Sequence, residues 1–286
     1  MIVVRSVSEL RRLVSEARHR SERVGLVPTM GAFHEGHVSL MRRAGQECGF
    51  VVVSLFVNPA QFNDAGDLAR YPRDEAHDAS LAEGAGVHVL YAPPVSVVYP
   101  DGFTTTVEVR GLSTPLEGVV RGTEHFRGVT TVVAKLFNMV QPDHAFFGQK
   151  DAQQALIIRR MVADLDIPVR IEICATVREP DGLAMSSRNA LLDAEARARA
   201  PVLSRALFAA SSLIARGETS ASTALDAGRR LLADAGVDTE YFDVVSTVTL
   251  TSLERVSGEV LIVIAARVGN VRLIDNVLVH LGENAR

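Results

Sequence analysis

The chain predicts an α/β protein, with a parallel sheet covered by helices on both faces, followed by a smaller α+β unit. Three observations carry this expectation. Short apolar runs with little alternation recur through the first 176 residues, as strands buried on both faces require. Helical patterns lie between most of them, which is the order of repeated βαβ units. From about residue 177 the order becomes helices and then strands, the pattern of a separate α+β unit. Two domains, 1–176 and 177–286, are therefore expected, and 286 residues are enough to give each a core.

The first strand is expected over 2–4, and Ser6 followed by Glu9 has capping-box spacing, so a helix should run over 7–19. A second strand over 24–27 enters the string VGLVPTMGAFHEGHVSLMRRA (24–44). There the chain passes Pro28, Thr29 and Gly31 and then takes a helical period, with Val38, Leu40, Met41 and Ala44 on one face. Further strands are expected over 51–57, 87–91, 144–147 and 169–174, and helices over 38–47, 74–83, 130–140 and 151–165. Past the polar loop REPDGLAMSSRN, Ala- and Arg-rich helices should occupy 193–216 and 220–235. Strands over 241–245, 260–266 and 271–279 complete the chain, with Gly269-Asn270 as a hairpin turn.

Composition narrows the class. A hydrophobic share of 47% with 22% charged residues is that of a soluble globular protein. A formal net charge of −4 offers no electrostatic footprint for nucleic acid. Two cysteines in so long a chain exclude a disulfide framework and suit a reducing compartment. The N-terminal segment MIVVRSVSELRR lacks the apolar core of a signal peptide, and no apolar run reaches transmembrane length. A cytoplasmic protein with no nucleic-acid or membrane partner is expected.

Four strings carry chemistry. In the first, His34 and His37 lie three apart, so a helix starting near Glu35 puts both imidazoles on one side of its first turn. A helix N-terminus favours phosphate, and Gly31 and Gly36 permit close approach of a ligand to the main chain. Taken alone, the spacing equally fits an ordinary strand-to-helix turn with solvated histidines. In SLFVNPAQF (54–62), Asn58 and Gln61 place amides just past a strand, suited to hydroxyl and carboxylate groups, or else forming an Asx turn.

In FFGQKDAQQ (146–154), Gly148 allows close backbone approach. Lys150 stands at a helix start, where the dipole disfavours a cation unless an anion meets it. Asp151 either accepts from ribose hydroxyls or caps the helix, and Gln154 points the same way as Lys150. In DGLAMSSRN (181–189), Ser186, Ser187 and Arg188 offer donors for a polyphosphate, or else form a polar linker. Because these loops follow strand ends, they are expected to converge beyond the carboxyl ends of a parallel sheet, where such folds bind ligands.

PTMGAFHEGH resembles the HIGH-type signature of adenylate-forming nucleotidyltransferases. All four strings, in order and spacing, resemble the pantothenate synthetases (pantoate–β-alanine ligases) over nearly the whole chain. That resemblance implies a Rossmann-like N-terminal domain with a smaller C-terminal lid, a homodimer, and ATP-dependent joining of pantoate to β-alanine with Mg²⁺ through a pantoyl-adenylate. It implies that Met30, Gly31, His34 and His37 hold ATP, with His37 as proton donor. Gly148, Lys150 and Asp151 would meet ribose and phosphates, Val177 the adenine side, and Met185, Ser186, Ser187 and Arg188 the triphosphate. Gln61 and Gln154, with Asn58, would hold pantoate, and His34, His37, Lys150 and Arg188 would carry the catalysis.

Two departures limit the transfer. Ala152 stands where an aromatic residue often follows the Lys-Asp pair. The segment EGVVRGTEHFRG (117–128) is one residue longer than the usual Pro-Gly-His-Phe form, so no role passes to Arg121 or His125. The metal ligands stay open, with Asp78 one candidate and the phosphates themselves the other. Alternatives are another HIGH-type nucleotidyltransferase, an aminoacyl-tRNA synthetase relative and a non-catalytic nucleotide sensor. The charge speaks against the tRNA reading, the Gln61 and Gln154 strings against the first, and the intact His34, His37, Lys150 and Arg188 against the last.

Overall fold

A computed structural model describes residues 1–281 and divides them into two compact units. The first comprises 1–149 and 153–175, and the second 150–152 together with the chain from 176 onward. That Lys150–Ala152 groups with the second unit is not announced by any feature of the sequence.

In the first unit the elements run β1 (Ile2–Val4), α1 (Val7–His19), β2 (Val24–Thr29), α2 (Glu35–Glu47) and β3 (Phe50–Leu55). They continue with α3 (Ala65–Arg70), α4 (Glu75–Gly84), β4 (Val89–Tyr91), α5 (Val95–Val98), α6 (Glu117–Arg121) and α7 (Thr123–Val140), and close with β5 (His144–Gly148), α8 (Ala152–Asp164) and β6 (Arg170–Cys174). The six strands order as β1-β4-β3-β2-β5-β6 and every pair is parallel. This is the Rossmann-like architecture expected. The apolar runs explain why: Val24–Val27 and Phe50–Val53 are buried throughout, as central strands covered on both faces must be.

From β2 the chain steps to β3 and β4 on one side, then returns to β5 and β6 on the other. Strand order therefore reverses at β2 and β5, the switch point beyond whose carboxyl ends such sheets bind ligands. The helix starts follow the expected chemistry. Ser6 Oγ accepts from the Glu9 amide at 3.3 Å, and α1 buries Leu10, Leu13, Val14 and Ala17 at helical spacing.

In the second unit α9 (Ala194–Arg199), α10 (Val202–Ala215) and α11 (Ala221–Asp234) precede an antiparallel meander of β7 (Asp238–Ser246), β8 (Glu259–Val268) and β9 (Val271–His280). Gly269 holds φ +58° in the β8–β9 hairpin, the left-handed value that its turn requires. Leu203, Leu207, Ile214 and Leu225 pack with Val244, Ile262 and Ile264 in one core. No helix among the described residues is long and apolar enough to cross a membrane.

Three local differences from expectation have plain causes. The helix expected over 193–216 breaks into α9 and α10 because Pro201 has no amide hydrogen and its ring clashes with the preceding turn. The helix expected over 130–140 begins at Thr123, since Gly122 at φ +74° marks its start and the first turn is too polar to read as a buried face. The short α3, α5 and α6, of six, four and five residues, carry too little periodicity to be seen in the sequence.

Candidate active site

The loop leaving β2 is held by a residue far from it in sequence. Asp78 of α4 is 1% exposed, and its carboxylate accepts from the Ala32 amide at 2.9 Å and the Phe33 amide at 2.7 Å. Gly31 (φ +93°) and Ala32 (φ +53°) both take left-handed backbone to bring those amides round. A Cβ at Gly31 would lie 2.7 Å from Leu55 Cδ1 and 2.9 Å from Asp78 Oδ2, so this glycine serves the packing of the loop itself. Asp78, expected above as a candidate metal ligand, has both oxygens committed to main-chain donors and acts as a clamp.

The clamp delivers the start of α2. His34 is its N-cap, with extended backbone, and its Nδ1 accepts from the Gly36 amide at 3.1 Å. In return the His34 amide donates to His37 Nδ1 at 3.3 Å. This is a capping box built from two imidazoles in place of a hydroxyl and a carboxylate. Because each Nδ1 accepts from an amide, the proton of each neutral ring sits on Nε2. The two rings lie with centroids 4.2 Å apart. The helix thus starts with a positive pole and two imidazoles on one side, an arrangement suited to a phosphate chain.

Beyond β3, Asn58 is 1% exposed and caps a single 3₁₀ turn, Pro59–Gln61. Its Nδ2 donates to Gln61 Oε1 at 3.0 Å and to the Gly128 carbonyl at 3.1 Å. Its Oδ1 accepts from the Ala60 amide at 3.2 Å and from the Tyr99 hydroxyl at 2.8 Å. Two donors and two acceptor positions are all the amide has, so its capacity is filled inside the protein. Burial pushes the Tyr99 hydroxyl up to about 12, which keeps it protonated for this bond.

Gln61, oriented in this way, donates through Nε2 to Met30 Sδ at 2.9 Å. His125 Nδ1 lies 2.7 Å from the Gln61 carbonyl, which requires the proton on Nδ1. The turn is also braced sterically: a Cβ at Gly128 would stand 2.2 Å from the Ala60 carbonyl oxygen. A cavity of about 310 Å³ adjoins Met30, lined also by Leu55, Pro59, Arg73, Asp78 and Pro94, within the range of small-molecule sites.

At the end of β5, a Cβ on Gly148 would meet no atom within 4 Å among the described residues, so the backbone faces open space there. Gln154 is half-buried on the first turn of α8. Its neighbour Gln153 is 6% exposed and ties the 112–117 loop, accepting from the Glu117 amide at 3.0 Å and donating to the Leu112 and Pro115 carbonyls at 2.8 Å each.

In the second unit Lys150 has its Nζ 4.0 Å from Asp151 Oδ1 and its carbonyl bound by Asn276 Nδ2 at 2.9 Å. Val177 and Met185 close a small hairpin, with the Met185 amide on the Val177 carbonyl at 2.9 Å. Arg178 braces it, forking onto the Asp275 carboxylate at 2.6 and 3.0 Å and standing over the Phe208 ring at 5.0 Å. Ser186 then caps the 3₁₀ segment Ser187–Leu191, accepting from the Arg188 amide at 3.3 Å. Met30, His34, His37, Asn58 and Gln61 are thus connected within the first unit. Lys150, Asp151, Val177, Met185, Ser186, Ser187 and Arg188 lie in the second. The supporting residues Tyr99, Gly128, Gln153, Arg178 and Asp275, and the clamping role of Asp78, escaped sequence reasoning because their partners are remote along the chain and no spacing rule reaches so far.

The family model described as "Pantoate-beta-alanine ligase" matches residues 2–278. A pantothenate synthetase of Cereibacter sphaeroides is 52% identical over 276 residues, which are 96% of this chain and 98% of that one. The crystal structure of a pantothenate synthetase from Thermus thermophilus superposes with a TM-score of 0.91 at 46% identity, covering 97% of this chain and 99% of that one. A pantoate-beta-alanine ligase from Francisella tularensis, complexed with beta-gamma ATP and beta-alanine, gives a TM-score of 0.76 at 32% identity and covers 97% of each chain.

Proposed function

The chain belongs to the pantoate–β-alanine ligase family, and from that premise we propose how its residues carry out the reaction. It condenses pantoate with β-alanine at the expense of ATP, giving pantothenate, AMP and pyrophosphate through a pantoyl-adenylate. A carboxylate does not acylate an amine at neutral pH, so it is first converted into a mixed anhydride with AMP. A pantoate oxygen bonds to the α-phosphorus, the bond to pyrophosphate breaks, and the β-alanine amine then attacks the acyl carbon and expels AMP. No enzyme nucleophile is needed; positioning and charge stabilisation suffice.

The single observation that carries the assignment of roles is the double-imidazole cap of α2 at the carboxyl end of β2, where strand order reverses. We assign His34 and His37 to the phosphates through Nε2–H, with His37 as the proton donor, and Met30 and Gly31 to the nucleotide loop. Gln61 and Gln154 receive pantoate. Asn58, whose capacity is filled, acts on pantoate only by orienting Gln61. Gly148 and Asp151 serve the ribose and Val177 the adenine, while Lys150, Met185, Ser186, Ser187 and Arg188 serve the departing pyrophosphate.

Mg²⁺ is assigned to the ATP phosphates rather than to a protein cage, since Asp78 is 1% exposed and turned onto the loop amides, and Mg²⁺ is commonly held by phosphates and water. A cytoplasmic homodimer completes the reading. Pantoate carrying ¹⁸O in its carboxylate tests the chemistry: one labelled oxygen should appear in AMP, with pyrophosphate unlabelled. Label in inorganic phosphate alongside ADP would mean an acyl-phosphate route. A chain giving no pantoate-dependent ATP–pyrophosphate exchange would be a sensor.

A further inference from the structure

At the amino end of β5, about 13 Å along the strand from Gly148, three donors from separate elements converge: Glu47 at the end of α2, His144 of β5 and Glu172 of β6. His144 Nδ1 lies 3.5 Å from Glu47 Oε2 and 3.3 Å from Glu172 Oε1, and all three donor atoms lie within 4.8 Å of one another. His144 is only 9% exposed. Its Nδ1 is buried without a hydrogen-bond partner among the described residues, and Glu172 Oε1, also buried, makes no hydrogen bond there although Arg170 Nε stands 2.6 Å away. A nitrogen and an oxygen this close ordinarily share a proton in line. Here the angle does not allow it, and a buried polar atom left in that state is costly.

Two donors at about 2.0–2.1 Å from a tetrahedral ion stand roughly 3.4 Å apart, and the two histidine–glutamate separations bracket that value. We propose that Glu47, His144 and Glu172 form a divalent metal site of the zinc type, with water as the fourth ligand. One imidazole and two carboxylates are a donor set that zinc accepts. Arg43 Nε holds the other oxygen of Glu47 at 2.5 Å, which orients that ligand from behind. Arg170 Nε stands 2.6 Å from Glu172 Oε1; its side chain is 73% exposed, so it can withdraw into water when an ion enters. The ion would pin the end of α2 to β5 and β6, at the opposite end of the helix from His34 and His37, and its role is structural.

The test is metal uptake by the full chain. After stripping with a chelator, exposure to Zn²⁺ and desalting, elemental analysis should find one zinc per chain, and the thermal midpoint should rise by mass action on the folded state. Glu172→Gln and His144→Ala should lose both effects while keeping pantoate-dependent exchange, and Glu47→Gln supplies a third variant should either fail to fold. His34→Ala should retain the zinc, because its ring lies at the other end of α2. Absence of retained zinc in the wild type, equal uptake in Glu172→Gln, or loss of uptake in His34→Ala would overturn the proposal.

Discussion

Asp78 holds the nucleotide loop by accepting from two adjacent amides while buried, and this bears on what its replacement does. In Asp78→Asn one of those amides would face an NH₂ group, leaving a buried donor unpaired at a cost of roughly 1–3 kcal/mol. The expected result is weaker ATP binding with pantoate affinity little changed, read by titrating each substrate; wild-type ATP affinity would show the clamp to be dispensable. Lys150→Ala should lower adenylate formation on the order of 10²- to 10³-fold in a folded protein, as removal of one preorganised donor does, measured by pyrophosphate exchange. The cysteines make a different prediction. Burial pushes the thiols of Cys48 and Cys174 up to about 11 from an ordinary 9.0. Since the folded pKa lies above the unfolded one, this contribution to stability is fully present below pH 9.0 and is lost as pH rises through about 11. The denaturation midpoint should therefore fall over that window, and less so in Cys48→Ala; both thiols should also resist alkylation at about pH 8 in the folded protein.

Between elements, α7 packs tightly against the 3₁₀ turn that carries Gln61. Gly128 has no side chain, so the Ala60 carbonyl oxygen sits where its Cβ would be, 2.2 Å away, and Asn58 reaches the Gly128 carbonyl. Gly128→Ala must push the turn from the helix. Overpacking of this kind costs about 1–3 kcal/mol. The displaced Gln61 should raise the KM for pantoate while ATP binding stays near normal, because the cap of α2 is held separately by Asp78. Steady-state kinetics in both substrates, with a melting curve, measure the two effects. A fall in ATP affinity alone would contradict the division of labour between the two loops.

At the scale of the whole molecule, each unit has its own core, and the second also rests on a buried ion pair. Asp275 is 4% exposed, and Arg178 forks onto it. Breaking a buried pair by removing one partner typically costs about 3–5 kcal/mol, the scale of an entire stability margin. Arg178→Ala should therefore lower the unfolding midpoint markedly, and Asp275→Asn in the same background should recover part of the loss by removing the stranded charge; denaturant titration of the single and double variants decides it. The sequence by itself determined the strands and most helices, because apolar runs and helical periods are local and burial on both faces writes itself into composition. It also determined the family, since HEGH, NPAQ, GQKD and SSRN stand in order along the chain. The local chemistry of His34 as a cap was within reach of the same reasoning. Only the tertiary structure decided that Asp78 clamps a loop, that Asn58 is filled by Tyr99 and Gly128, and that Gly31 serves packing. Each of these depends on atoms brought together from distant parts of the chain, and hydrogen-bond capacity can be counted only once those partners are in place.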